Sequence, residues 1–298
     1  MKRILSLLIA IMLVFSVTAC MASDNGENTA QAGEASTESK YERIVSFAPS
    51  ITQILVGMGL GDKIIAVTSY DTTEGVAENI PAFDLMAPDI EAITALEPDI
   101  ILSTEITSAG GSNPFDLIQS EKTEIKYFVT AESIDEIYAQ IISFGEIFSR
   151  EEEAQKLVDE LTAVVDSYKE KAANITEKKS VYFEISPAPY MYSTGTDSYM
   201  HEMIELVGAT NALEEYKSWL AVTDEMILTA NPDVIFTNVN YTEAPIEEIK
   251  QRNGWNVVNA VANNEVYYID NLSSSLANHN IVKALDEMSK ALYPEIYN

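Results

Sequence analysis

Glu91-Ala-Ile-Thr-Ala-Leu-Glu-Pro-Asp-Ile-Ile-Leu-Ser103 and Glu225-Met-Ile-Leu-Thr-Ala-Asn-Pro-Asp-Val-Ile-Phe-Thr237 are near copies of each other, at a constant offset of 134 residues. In each, a glutamate opens a short apolar segment with helical character, a Pro-Asp pair follows seven and eight residues later, and a run of aliphatic residues comes next. Proline stops the helix and the run after it has the composition of a strand, so each copy predicts helix, turn and strand. Such a unit repeated at this spacing predicts two similarly built α/β halves, each presenting one carboxylate at the same place.

The N-terminus reads as an export signal at residues 1–19. Lys2 and Arg3 are followed by an apolar run from Ile4 to Val17, which is short for a membrane span. The run ends in Val17-Thr-Ala-Cys20, which resembles the lipobox of bacterial lipoproteins, so Cys20 is the expected lipidation site. Cys20 is also the single cysteine, so a disulfide, a zinc-thiolate cluster and a catalytic thiol are excluded from the body of the protein. Residues 20–40, rich in Ser, Thr, Glu, Asn and Gly, have too little apolar surface to fold and are expected to form a tether. The remaining 258 residues suffice for two lobes with cores of their own.

Losing Lys2 and Arg3 with the signal takes the formal charge from -29 to -31. So acidic a body is repelled by phosphate backbones and anionic lipid surfaces, which argues against nucleic acid as a partner and leaves acyl chains to attach it to a membrane.

Strand-length apolar runs recur at 43–47, 64–68, 99–103 and 125–129, then at 180–185, 190–193, 233–237 and 265–269, with helical segments between them. Continuous apolar strands alternating with helices predict parallel sheets covered on both faces. Ser50-Ile-Thr-Gln53 and Ser149-Arg-Glu-Glu152 have the pattern of capping boxes. From Glu151 to about Ala173 no Gly or Pro intervenes, Leu157, Leu161 and Tyr168 recur at helical spacing, and glutamates start what lysines end. This predicts a rod of roughly 35 Å, a connector between the halves. Gly57-Met-Gly-Leu-Gly61 follows a helix and precedes a strand, so it reads as a helix end and turn and not as a dinucleotide fingerprint.

Lipobox, tether, two α/β lobes, connector and repeated Glu-to-Pro-Asp unit together resemble the solute-binding proteins of ABC importers for cobalamin, ferric siderophores and haem. The resemblance covers residues 41–298. It rests on Arg43-Ile-Val-Ser-Phe-Ala-Pro-Ser50, on Ile90 to Asp99, on Gly195-Thr-Asp-Ser-Tyr-Met-His-Glu-Met-Ile-Glu-Leu-Val-Gly208 and on Trp255-Asn-Val-Val-Asn-Ala-Val-Ala-Asn-Asn-Glu-Val-Tyr267. It implies an α/β fold of two Rossmann-like lobes with mainly parallel sheets, residues 41–149 and 175–298, bridged by a single long helix at 150–174. It further implies a ligand held between the lobes and one surface glutamate per lobe docking against arginines of a permease dimer. Glu91 and Glu225 match those positions. The residues alone leave two roles open for them: permease docking, or offsetting helix dipoles with Asp89 and Thr223 as the caps.

In parallel α/β sheets, ligands sit beyond the carboxyl ends of strands. The candidate ligand-binding residues there are Phe47, Ser50, Tyr70, Phe83, Thr104, Tyr192, Trp219, Tyr241 and Asn271. Trp219, Tyr192 and Tyr70 match aromatic cleft positions of the resembled family. Aromatic walls suit a large planar or macrocyclic ligand. Outside the signal only Arg43, Arg150 and Arg252 are arginines. Anionic catecholates, which need clustered cations, therefore rank below cobalamin or another near-neutral chelate, although Lys63, Lys122 or Lys217 could reach a carboxylate. His201, in a matched helical motif, reads as structural; His279 follows the last strand and is a weaker ligand candidate.

The expectation is thus an extracytoplasmic, lipid-anchored, monomeric receptor on the outer face of the cytoplasmic membrane, with no intrinsic cofactor and no metal site. It would deliver a metal chelate, a cobalamin-type corrinoid or ferric siderophore, to an ABC permease. A haem or free-metal-ion receptor is the alternative. An enzyme is disfavoured: there is no Gly-x-Ser-x-Gly elbow and no catalytic cysteine, which leaves only carboxylate chemistry of the glycosidase kind.

Overall fold

A computed structural model describes residues 39–108, 111–118 and 120–297. The export signal, Cys20 and the tether up to residue 38 lie outside the described residues. In the first half, strands β1 (Ile44–Ser46), β2 (Ile64–Thr68), β3 (Ala82–Phe83), β4 (Ile100–Thr104) and β5 (Glu124–Phe128) alternate with helices α1 (Pro49–Gly57) and α2 (Ile90–Ala95). All five strands pair in parallel in the order β3-β2-β1-β4-β5. Helices α3 (Ile134–Phe148) and α4 (Glu151–Ala172) follow as an antiparallel pair, α4 occupying the segment read as the connector.

The second half holds β6 (Ser180–Glu184), β7 (Tyr192–Thr194), α5 (Tyr199–Leu206), β8 (Thr210–Asn211), β9 (Trp219–Ala221), α6 (Asp224–Ala230) and β10 (Val234–Thr237). Then come α7 (Pro245–Lys250), α8 (Asn259–Ala262), β11 (Val266–Tyr268), α9 (Asn271–Ser275), α10 (Ile281–Leu292) and α11 (Pro294–Tyr297). Its main sheet is parallel, in the order β11-β10-β6-β8. The run expected at 190–193 does not join it: β7 pairs antiparallel with β9 as a separate ribbon.

The apolar strands are buried on both faces, as their continuous hydrophobicity requires. Ile44, Ile100 and Leu102 join the core between the sheets and the connector, whereas Val45 and Ile101 join Phe47, Ile93 and Phe115 on the opposite face. In the second half Val181, Phe183, Val234 and Phe236 take the inner face, and Tyr182 and Ile235 pack outward on Trp255 and Ile227. Leu161 and Val165 of α4 lie in the same core as residues of both sheets, so one apolar interior runs through the connector. A helix embedded in that way resists bending more than a solvated linker does.

Both predicted capping boxes are absent. Helix α1 begins at Pro49 with Ala48 at the cap position; proline at the first helical position has φ preset for a first turn and contributes no orphan N–H of its own. Gln53 instead accepts from Asn278 Nδ2 at 2.9 Å and Asn280 Nδ2 at 2.8 Å, tying α1 to the segment before α10. Ser149 sits in the left-handed region at φ 53° and ends α3, and Arg150 occupies the cap of α4 with no side-chain bond. The bend brings Gly145 so close to α4 that a Cβ there would lie 2.6 Å from Ala154 Cβ.

Candidate functional site

Each sheet has one point where the chain reverses its direction of growth. In the first this lies between β1 and β4, in the second between β6 and β10. Loops diverge there and leave a crevice beyond the carboxyl ends of the strands. Of the twelve large apolar side chains exposed among the described residues, seven lie in segments that follow a strand of these two sheets: Tyr70, Met86, Ile106, Val129, Tyr190, Tyr192 and Tyr241. Tyr190 is 84% exposed and Val129 77%. Exposed apolar groups gathered on one kind of edge mark a surface built to be covered.

Polar atoms without a protein partner collect at the same edge. Thr68 Oγ1, Asp71 Oδ2 and Thr73 Oγ1 are buried without a hydrogen-bond partner among the described residues, and they flank Tyr70. A polar ligand or water bridging to it would satisfy them.

The nine expected ligand residues separate into surface and support. Tyr70, Tyr192 and Tyr241 are exposed, and Ser50, Phe83, Trp219 and Asn271 half-buried. Phe47 is 0% exposed: it stacks on Phe83 at 6.5 Å and meets Phe115 edge-on at 4.9 Å, so it is core and backs the edge without facing it. Thr104, the last residue of β4, is also buried. Trp219 lies in a strand, not a loop, and rests on Tyr199 at 5.8 Å, whose hydroxyl donates to the Ser274 carbonyl at 3.0 Å. Asn271 starts α9, and its Nδ2 donates to the Asn238 carbonyl at 2.7 Å, pinning the loop that carries Tyr241.

The ribbon under Trp219 depends on Gly195. Its N–H donates to the Ser218 carbonyl at 2.8 Å, and a Cβ would stand 2.2 Å from the Tyr216 carbonyl oxygen. Gly195→Ala must therefore push backbone apart. We expect it to cost about 1–3 kcal/mol in urea unfolding and to blue- or red-shift Trp219 emission; unchanged emission and stability would show that the ribbon yields freely.

The arginines are already engaged by protein groups. Arg43 donates to the carbonyls of Leu96 at 2.6 Å and Glu97 at 3.2 Å, and Arg150 faces Glu153 at 3.8 Å. Lys63 pairs with Glu42 at 2.6 Å before β2, and Lys122 precedes β5, so both stand at amino ends of strands, contrary to the expectation that they could reach a ligand carboxylate. Lys217, beside Trp219, is paired with Asp197 at 3.1 Å.

Arg252 is buried, and the sequence reading missed its role. It grips Glu184 through two bonds of 2.6 and 2.8 Å, with Glu248 on its other side and Met191 Sδ at 3.0 Å. Tyr182 Oη donates to Glu184 at 3.2 Å. Burial raises the Glu184 carboxyl above its ordinary range, and the guanidinium opposes that rise. The available signal was a glutamate ending an otherwise apolar strand in a chain with so few arginines.

His201 lies in α5 beside Asn211 and Glu205, as a structural residue would. His279 lines a groove of about 370 Å³ with Gln53, Gly57, Thr73 and Leu272, and burial lowers its imidazole below its ordinary value. Among the described residues no group of three or more His, Cys, Asp or Glu could hold a metal ion. Another groove, of about 630 Å³, lies among α3, α4 and α5 and is lined mainly by helix residues such as Tyr138, Lys169 and Glu202.

Glu91 and Glu225 are both exposed in the first turns of α2 and α6 and form no ion pair among the described residues. The caps are Asp89, whose Oδ1 accepts from the Ala92 N–H at 3.0 Å, and Thr223, whose Oγ1 accepts from the Met226 N–H at 3.4 Å. Neither glutamate is thus needed to finish its helix.

Residues 44–272 match the family described as periplasmic binding protein. A Bacillus subtilis ABC transporter substrate-binding lipoprotein, YvrC, itself uncharacterized, is 31% identical over 86% of this chain and 81% of its own. The high-affinity heme uptake system protein IsdE of Staphylococcus aureus is 26% identical over 99% of both chains. The crystal structure of a possible iron-binding, periplasmic solute-binding protein from Staphylococcus epidermidis superposes with a TM-score of 0.75 at 31% identity, covering 85% of this chain and 99% of that one.

Proposed function

This chain belongs to the periplasmic binding protein family, as a substrate-binding protein of an ABC transporter and not an enzyme, and from that premise we propose that it captures a near-neutral metal chelate between its two lobes. The preferred cargo is a cobalamin-type corrinoid or a neutral ferric siderophore. The observation that carries this reading is the band of exposed aromatic and aliphatic residues at the carboxyl ends of the strands, with unpartnered hydroxyl and carboxyl oxygens beside Tyr70. Broad apolar contact with a few hydrogen bonds suits a large, rigid, weakly charged ligand. A tris-catecholate carries several negative charges, and the three arginines that could meet them are already engaged by protein groups.

Haem is the second reading, favoured by the staphylococcal haem-uptake relative. An axial ligand would come from a phenol such as that of Tyr70, Tyr192 or Tyr241, or from His279, which lines a groove with Thr73. In both readings Cys20 carries the lipid, the receptor acts as a monomer outside the cytoplasmic membrane, and Glu91 and Glu225 dock on a permease dimer. Among the described residues no helix is long and apolar enough to cross a membrane.

The test is the visible spectrum of freshly purified protein, followed by tryptophan quenching with cyanocobalamin, ferrichrome, ferric enterobactin and haemin. The expected result is saturable 1:1 quenching by cyanocobalamin or ferrichrome, and an affinity at least about tenfold weaker for Trp219→Ala when both proteins are titrated by calorimetry. Tightest binding of ferric enterobactin would overturn the charge argument, and a Soret band would select haem.

A further inference from the structure

The glutamate of the second half stands in an apolar setting. Glu225 and Leu228 are exposed one turn apart in α6 and so share a face. The residue at the same place in the repeat, 134 positions earlier, is Thr94, whose hydroxyl turns back to the Ile90 carbonyl at 2.7 Å. Segment 255–259 is tied to α6 at both ends of the helix. Trp255 Nε1 donates to Asp224 Oδ1 at 2.7 Å at one end, and the Asn259 N–H donates to Asn231 Oδ1 at 2.8 Å at the other. Between these fixed points Val257 is 67% exposed. Trp255, two residues earlier, is fully buried, with the Arg252 guanidinium 4.6 Å from its ring centre.

An exposed leucine and valine on a rigid support, next to an unpaired carboxylate, make a surface that water covers poorly. We propose that Glu225, Leu228 and Val257 form one composite patch that seats the ABC permease, a basic side chain of the permease meeting the glutamate and an apolar one covering Leu228 and Val257. This rests on the docking role proposed above for Glu225. Charge selects the occupant: a second copy of this chain would bring its own acidic surface against the patch, whereas a basic permease loop is drawn to it by a body of formal charge -31 without its export signal. The Trp255–Asp224 and Asn259–Asn231 bonds hold the patch in one shape, so little ordering is left for the moment of docking.

The experiment titrates full-length receptor onto its cognate permease in lipid nanodiscs, comparing wild type, Glu225→Gln and the double variant Leu228→Ser/Val257→Ser. The double variant is expected to weaken binding about tenfold; because Leu228 is 39% exposed and Val257 67%, its thermal midpoint is measured alongside and binding is compared at a temperature where both proteins are folded. Raising the salt should weaken wild-type binding yet leave that tenfold ratio, since apolar contact is not screened. If Glu225→Gln is impaired and the double variant binds as wild type, the patch is refuted and docking through the glutamate stands. If Glu225→Gln binds as wild type, the docking role fails and the composite patch with it, whatever the double variant does.

Discussion

Replacing Glu91 and Glu225 together by alanine will reduce ligand uptake by whole cells at least about 100-fold while changing the affinity of the purified receptor less than about twofold. Coupling energies of close charge pairs across an interface start near 1.5 kcal/mol, and two such pairs multiply to that factor. The receptor should be indifferent, because Asp89 and Thr223 already cap α2 and α6 and neither glutamate has a partner to lose among the described residues. Each single variant should show roughly the square root of the double effect, since two contacts made by different lobes share no neighbours. Uptake is measured with radiolabelled or coloured cargo, and affinity by tryptophan quenching. Lost affinity with normal uptake at saturating ligand would move both residues into the ligand site.

The same two residues show why part of the molecule is legible in its sequence. Glu91 and Glu225 sit on a short-range pattern of helix, Pro-Asp and strand, which local propensity and sterics impose, and the eight predicted strands all form within two residues of their expected limits. Gln53 and Ser149 were misread because a capping box is a sequence pattern shared by other local solutions. Pro49 starts the helix one residue before Ser50, which places Ser50 inside the first turn, and the tight turn between α3 and α4 takes Ser149 out of the other cap position. Phe47 was misplaced for a different reason. Being next to a strand end does not say which way a side chain points, and burial against Phe83 and Phe115 is decided by elements 36 and 68 residues away. Arg252 and Glu184, likewise 68 residues apart, meet only through the fold.

Arg252→Met will be the most destabilising of the single charge removals, by about 3–5 kcal/mol, because it leaves the Glu184 carboxylate buried with only the Tyr182 hydroxyl beside it. At roughly 2–4 °C per kcal/mol for a body of this size, the thermal midpoint should fall by about 10 °C. Removing Lys156 from its exposed pair with Glu160 should cost less than about 0.5 kcal/mol, so the contrast isolates burial as the cause. Dependence on pH gives the sharper test. Burial already raises the Glu184 carboxyl above its ordinary value of 4.5, and without the guanidinium it rises further. An acid whose folded pKa is raised costs stability above that pKa and costs none once pH falls below the unfolded value. The deficit of Arg252→Met should therefore be full at pH 8 and shrink toward pH 5 in urea unfolding, and Glu184→Gln added to it should recover most of the loss at pH 8. A deficit constant across that range would mean that Arg252 acts by packing on Trp255 and Met191. In that case its charge would be incidental to holding Asp224, and with it the helix that presents Glu225.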